Sequence, residues 1–481
     1  MTASTPRLHA SRETLTKLIA TATDLRRGEG LETILMLLAE RRGMDLTDLA
    51  PAAQAELLAA RSAKLLPGRE HLAGLLATAR AEGRALTVKF GIDPTAADVH
   101  LGHTVPMRLA SRFQRMGHRV VFIVGDVTAK VGDPSGRSAE RPALTEQDIR
   151  SNLATYRQQV SPFFDFERAE FRFNSEWLAP ITLPDFLSVL GRLPASAALQ
   201  REDFRTRLAD GSGLTMAELV YSVVMALDSV ELAADIELGG IDQLLNMQMC
   251  RRVMEVSGQR PEAIIATGLI EGTDGTGAKM SKSKENYVGL AFAPGDVFGK
   301  LMSAADRLLP DYLRTLTELL DPEVELLLSL AAEGLIHPMG LKVLLASDAT
   351  ATIHGIEAAA EAREAFRAQF SARRYSDTPG IPVVAEPRGA DTTVAALFVA
   401  HAAGVPSLNH VRRVAAGGGL RLVVEAPDGA QEAIPLTAAD ADRAPSEVIA
   451  GLGDALGRVG GSGIRIFLRC GRRLLELSPA S

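Results

Sequence analysis

Leu31, Ile34, Leu35 and Leu38 recur at helical spacing within a stretch rich in Ala, Leu and charged residues, so a helical piece is predicted over about 1–58. The pattern then changes to a β-rich run. Arg84 to Ile92 contains Leu-Thr-Val-Lys-Phe-Gly-Ile, ends in Asp93-Pro94-Thr95, and precedes a helix with Leu101, Val105, Leu109 and Phe113 on one face. A second strand, Arg119 to Gly125, follows Met116-Gly117-His118. Strand, turn and helix in this order open a βαβ unit, and helices and apolar strands alternate to about residue 300. The prediction for 59–305 is therefore an α/β fold of Rossmann type with a doubly wound parallel sheet.

From about residue 306 the period is helical again, through Leu308, Leu313, Leu316, Leu319 and Leu320, then Leu326 to Leu330, then Ile356 to Phe370. A helical domain is expected over 306–380. The break Asp377-Thr378-Pro379-Gly380-Ile381-Pro382 leads into a small α+β domain over 381–481, with a helix near Pro406 to Ala415 and strands at Leu420–Val424 and Ile464–Leu468.

Composition narrows the class. Apolar residues make up 46% and charged residues 23% of the chain, and no window approaches the run of about 20 apolar residues that a membrane helix needs. The start MTASTPRLHASRETL lacks the basic, apolar and small-residue regions of a secretory signal, so a cytoplasmic protein is expected. Cys250 and Cys470 stand far apart, which argues against a disulfide framework or a zinc site, and no metal site is expected. The net charge of −7 argues against a general nucleic-acid binder but leaves room for one basic face.

Two motifs carry chemistry. His100-Leu101-Gly102-His103 falls where a strand turns into a helix, and a helix N-terminus binds anions through its free N–H groups. Two imidazoles there can donate hydrogen bonds to a phosphorus centre as its charge grows. Lys279-Met280-Ser281-Lys282-Ser283 follows the Gly-rich Glu271-Gly272-Thr273-Asp274-Gly275-Thr276-Gly277, and a mobile loop with two lysines can close over a triphosphate. Taken singly, the first also reads as a helix cap and the second as a solvated basic loop. No Gly-x-x-x-x-Gly-Lys-Ser/Thr phosphate loop is present.

In this order and separation the two motifs resemble the HIGH and KMSKS signatures of class I aminoacyl-tRNA synthetases. Lys89-Phe90-Gly91-Ile92-Asp93-Pro94-Thr95, Val131-Gly132-Asp133-Pro134-Ser135-Gly136-Arg137 and Glu237-Leu238-Gly239-Gly240-Ile241-Asp242-Gln243 narrow the resemblance to the tyrosyl enzymes. It implies a tyrosine–tRNA ligase that uses ATP with Mg2+, charges tRNA-Tyr and forms a homodimer. It further implies that Gly91, Asp93, Thr95, His100, Gly102 and His103 line the ATP site, that Gly240 and Asp242 hold the ribose, and that Lys279, Met280, Ser281 and Lys282 close over pyrophosphate. Asp133 and Tyr221 match positions for the substrate ammonium, Gln243 one near its carboxyl group, Asp228 one for the phenol hydroxyl, and Arg137 and Arg141 basic positions of a phosphate-side loop.

Four features depart from the family pattern. Lys89 stands where many tyrosyl enzymes carry tyrosine, although one branch has lysine. Met225 replaces a glutamine that helps to hold the amino group, and a thioether cannot donate and accept as an amide does. The alternative to tyrosine is thus a modified or different amino acid, or a non-tRNA acceptor. The C-terminal domain resembles the S4-type RNA-binding module in degenerate form, with Arg412, Arg413, Arg469, Arg472 and Arg473 as candidates for phosphate contacts. The fourth departure is the piece over 1–58, which has no counterpart in the family.

Overall fold

A computed structural model describes residues 6–21, 25, 28, 30–92, 99–133, 145–199, 201–211, 213–370, 381–385, 392–402, 405, 407–427, 431–450, 464–470 and 473–478. The chain packs as two compact units, Met1–Arg363 and Glu364–Ser481. The N-terminal piece, the sheet and most of the helical segment after 305, separate in the sequence reading, therefore share one unit.

The first unit is built on a sheet of six strands: β1 (Lys64–Leu66), β2 (Thr87–Ile92), β3 (Arg119–Val124), β4 (Ala169–Phe173), β5 (Ile236–Gly240) and β6 (Ala263–Thr267). Their spatial order is β1-β6-β5-β2-β3-β4, and only the short edge strand β1 is antiparallel. Val120 to Val124 of β3 are buried, as a strand covered on both faces requires. The order reverses between β2 and β5, and in such sheets ligands bind in the crevice at the carboxyl ends of the strands at this switch point. The helix Leu101–Arg115 leaves from that end and stops at Met116, after which Gly117 takes a φ of +83° that suits glycine.

Leu31, Ile34, Leu35 and Leu38 are all buried on the helix Leu31–Gly43. Arg41 of the same helix donates through both arms to Glu323, at 2.7 Å each, and so joins the N-terminal piece to the helix Asp321–Ala332. The segment after 305 is helical, over Leu309–Leu316, Asp321–Ala332, Pro338–His354 and Ile356–Phe370.

The second unit holds strands β7 (Val383–Ala385), β8 (Leu420–Glu425), β9 (Gln431–Pro435), β10 (Arg465–Cys470) and β11 (Arg473–Ser478) in the order β7-β11-β10-β8-β9. Helices Val394–His401 and Leu408–Ala416 cover it through Val394, Leu397, Phe398 and Val411, which pack on Leu420, Leu422 and Leu468. Arg412 is held by Asp442 at 2.8 Å, while Arg413, Arg469 and Arg473 are exposed.

Candidate active site

Gly91 is the next-to-last residue of β2 and Gly240 ends β5, so a glycine stands at the carboxyl end of each of the two strands. At Gly240 a Cβ would fall 2.6 Å from Asp242 Oδ1, and only glycine lets that carboxylate lie against the strand end. His100 caps the next helix. Its Nδ1 accepts from the Gly102 N–H at 3.2 Å, while His103 Nδ1 accepts from the His100 N–H at 3.2 Å. The rings lie 3.8 Å apart. Burial, then the neighbouring His103 and the Lys282 ammonium, pushes His100 down to about 2. Burial and then Lys282 push His103 down to about 4, although the residue keeps open surface. Both rings are therefore neutral at physiological pH. With each Nδ1 occupied as an acceptor, the proton sits on Nε2, and the pair offers two N–H donors.

The lysine motif is brought to this helix by a direct backbone link. Leu101 N–H donates to Val288 O at 3.0 Å and Leu290 N–H to Val99 O at 2.8 Å, which makes an antiparallel bridge between His100 and Gly289. Lys279 Nζ lies 3.3 Å from Asp242 Oδ2. Met280 is buried, with its N–H on Ile270 O at 2.9 Å, and Ser281 Oγ lies 3.3 Å from Ser283 Oγ. Asn286, which sequence reasoning missed, organises the loop: its Oδ1 accepts from the Ser281 N–H at 2.9 Å, its Nδ2 reaches Lys279 O at 3.4 Å, and its O accepts from Thr273 N–H at 3.0 Å. The base of the loop is fixed by Arg307, which pairs with Glu271, and by the Tyr312 hydroxyl, which donates to Glu271 O at 2.6 Å.

A second set of side chains is joined by hydrogen bonds. Gln243 donates to Asp133 Oδ2 at 2.8 Å, and Asn246, itself held by Arg201 at 2.9 Å, donates to Gln243 Oε1 at 2.8 Å. The helix Met216–Leu232, started by a Thr215–Glu218 capping box, carries Tyr221, Met225 and Asp228 at helical spacing. Asp228 is buried and accepts from Trp177 Nε1 at 2.8 Å. Met225 packs against the apolar cluster of Val223, Met249, Cys250 and Val253.

Lys89 is fully enclosed. Its ammonium lies 2.7 Å from Glu237 Oε1 across the β2–β5 register and donates to Ser229 Oγ at 2.7 Å, with Cys250 Sγ at 3.7 Å. Burial opposes its charge, but its neighbours Cys250, Glu237 and Glu262 outweigh it and hold the ammonium protonated. Glu262 is pushed well up by burial and by Glu237, and it accepts from Ser229 Oγ at 3.0 Å. The Lys89 ammonium is thus engaged by Glu237 and Ser229. Thr95, Asp93, Arg137, Arg141 and Arg472 lie outside the described residues.

The profile of the family described as tRNA synthetases class I (W and Y) matches residues 81–371. The tyrosine–tRNA ligase of Oleidesulfovibrio alaskensis is 40% identical over 360 residues, which is 75% of this chain and 89% of that enzyme. That of Thermotoga maritima is 40% identical over 299 residues, 62% of this chain and 74% of its own length. The chain belongs to the tyrosyl branch of the class I tRNA synthetases. Its fold is like that of a C-terminally truncated mitochondrial tyrosyl-tRNA synthetase from Aspergillus nidulans, with a TM-score of 0.55 at 19% identity, covering 71% of this chain and all of that one.

For a class I synthetase the arrangement of the loop matters as much as its lysines. At Gly272 a Cβ would fall 2.1 Å from Asn286 Nδ2, so Gly272→Ala must unseat the residue that shapes the lysine loop. The expected result is a fall of about tenfold in ATP–pyrophosphate exchange with amino-acid binding unchanged, because positioning alone is disturbed. Equal losses in both would show that the crevice itself had collapsed.

Proposed function

We propose that the chain activates tyrosine with ATP, releasing pyrophosphate, and transfers the tyrosyl group from the adenylate to the 3′ end of tRNA-Tyr. The observation that carries this reading is the bridge that sets the two neutral histidines beside the lysine loop at the switch point. No covalent enzyme intermediate is needed: the carboxylate attacks the α-phosphorus in line, pyrophosphate leaves, and the tRNA hydroxyl then attacks the adenylate. Catalysis is positioning and charge stabilisation. In this scheme the Nε2–H groups of His100 and His103 donate to phosphate oxygens, Lys279 and Lys282 with Met280 and Ser281 close over the leaving pyrophosphate, and Gly91, Gly102, Gly240 and Asp242 hold the nucleotide. Asp133, Tyr221 and Gln243 receive the amino-acid backbone, Asp228 takes the phenol, and Lys89 stiffens the pocket from behind.

Among the described residues, the acids and thiol close enough to share a metal are Glu237, Cys250 and Glu262, and these surround the Lys89 ammonium. Magnesium would therefore arrive on the phosphates of ATP and supply charge neutralisation there. Arg413, Arg469 and Arg473 supply candidate contacts to tRNA phosphates, and a homodimer in the cytoplasm completes the reading. Among the described residues no helix is long and apolar enough to cross a membrane.

Met225 favours a second reading, a relative that activates an altered amino acid. ATP–pyrophosphate exchange across the standard amino acids, followed by tRNA charging, separates the two. Exchange and charging with tyrosine are expected, and the absence of both refutes tyrosine as the substrate. Met225→Gln should lower the KM for tyrosine by about three- to tenfold by restoring an amide hydrogen bond. An unchanged KM would place that side chain outside the amino-group contact.

A further inference from the structure

The helix Leu101–Arg115 carries a second charged cluster at the end away from its histidines. Among the described residues, the guanidinium groups of Arg41, Arg42, Arg108, Arg112 and Arg115 meet three buried carboxylates, Glu318, Glu323 and Asp348. Glu323 is taken by both arms of Arg41, and Asp348 by Arg42 at 2.8 Å. Glu318 alone then serves Arg108, Arg112 and Arg115, at 3.6, 3.4 and 3.6 Å. Two positive charges are left over. A guanidinium cannot shed its proton, and an uncompensated charge taken out of water is strongly unfavourable.

Arg108 is the least satisfied of the group. It is 6% exposed, its guanidinium lies over the Phe163 ring at 5.0 Å, and its Nε and Nη2 find no hydrogen-bond partner among the described residues. Burial first, with Arg42 and Arg112 adding to it against the pull of Glu318, brings Arg108 down to about 10. The side chain lines a cavity of about 440 Å³, together with Arg42, Arg115, Arg157, Arg168 and Phe163. The other acids of its wall are engaged: Glu167 pairs with Arg157 at 2.7 Å, and Asp165 Oδ1 accepts from the backbone N–H groups of Glu167 and Arg168. A volume of this size suits a small ligand.

We propose that this cavity binds a small phosphate-type anion, inorganic phosphate or pyrophosphate, at a site separate from the catalytic crevice. Fifteen helical residues set Arg115 roughly 20 Å along the axis from His100. The bound oxyanion completes the charge balance and accepts from the free edge of Arg108, as arginine forks do with phosphate. Arg42 gives the N-terminal piece, absent from the family pattern, a part in this site.

The test is thermal unfolding of the full chain against phosphate and pyrophosphate at constant ionic strength. Saturable stabilisation is expected in the natural chain and also in Lys282→Ala, which disables only the anion site of the catalytic loop. Arg108→Gln should weaken the binding by about ten- to a hundredfold. The exposed Arg168→Gln, which keeps the fold if Arg108→Gln does not, should weaken it as well. Stabilisation that disappears in Lys282→Ala, or that survives both arginine changes, overturns the proposal. Loss of tRNA binding in Arg168→Gln with anion binding intact also overturns it, since the arginines would then be an RNA contact.

Discussion

Lys282→Ala lowers the rate of tyrosine-dependent ATP–pyrophosphate exchange by about a hundred- to a thousandfold, the range found when one transition-state donor is removed. Tyrosine binding stays within about twofold, because in the proposed scheme the charge that Lys282 meets develops on the leaving pyrophosphate and not on the bound amino acid. The structure supports this division: Lys282 is close enough to depress His100 and His103, whereas Asp133 rests on Gln243 and Asn246 and Asp228 on Trp177. Steady-state exchange and equilibrium tyrosine binding on the same preparation check it. Lys284→Ala, on the exposed side of the same turn, is the control and leaves both quantities unchanged. A parallel loss of binding and rate in Lys282→Ala would remove the pyrophosphate role.

Glu318→Gln is the second large effect, and it falls on stability. Three buried arginines lose their one shared carboxylate, a change that costs about 3–5 kcal/mol when a buried partner is removed. Burial alone would raise the Glu318 pKa, but Arg112, Arg115, Arg108 and Arg42 outweigh it and hold the group down at about 2. A carboxyl depressed in the folded state binds its proton more weakly there than in the unfolded chain. Its contribution is therefore complete above its ordinary value of 4.5 and is lost as pH falls toward 2. The difference in urea midpoint between Glu318→Gln and the natural chain should be constant from pH 7 to about 5 and narrow below that. A difference that stays constant down to pH 3 would mean that shape, and not charge, is what the substitution removes.

Much of the candidate site was legible because its residues are local. The strand β2 and the helix after it follow from alternation and period, and the two motifs are contiguous in the chain. What stayed hidden were the partners. Lys89 reads as an odd charge in an apolar strand, and its counter-ion Glu237 lies far along the chain, although the two sit opposite each other in the register of β2 and β5. Trp177, the one tryptophan of the chain, gave no sign that it would hold Asp228. Glu40-Arg41-Arg42 looks like a solvated helix face, yet Arg41 is buried because Glu323 reaches it from the later helices. Strands β1, β7 and β9 escaped notice because they are short or polar at alternate positions, so neither length nor apolar content marked them. Asn286 is a lone polar residue whose work depends on a glycine fourteen positions earlier, at Gly272, leaving room for it.

The bridge between His100 and Gly289 also has a mechanical meaning. The lysine loop is buckled at both ends, at Glu271 by Tyr312 and at Gly289 by the start of the histidine helix. Only the strap between those buckles has to settle over a triphosphate, so few residues surrender conformational freedom when it does. The far buckle is the helix end that presents the histidines, so any pull on the strap is felt at those two rings.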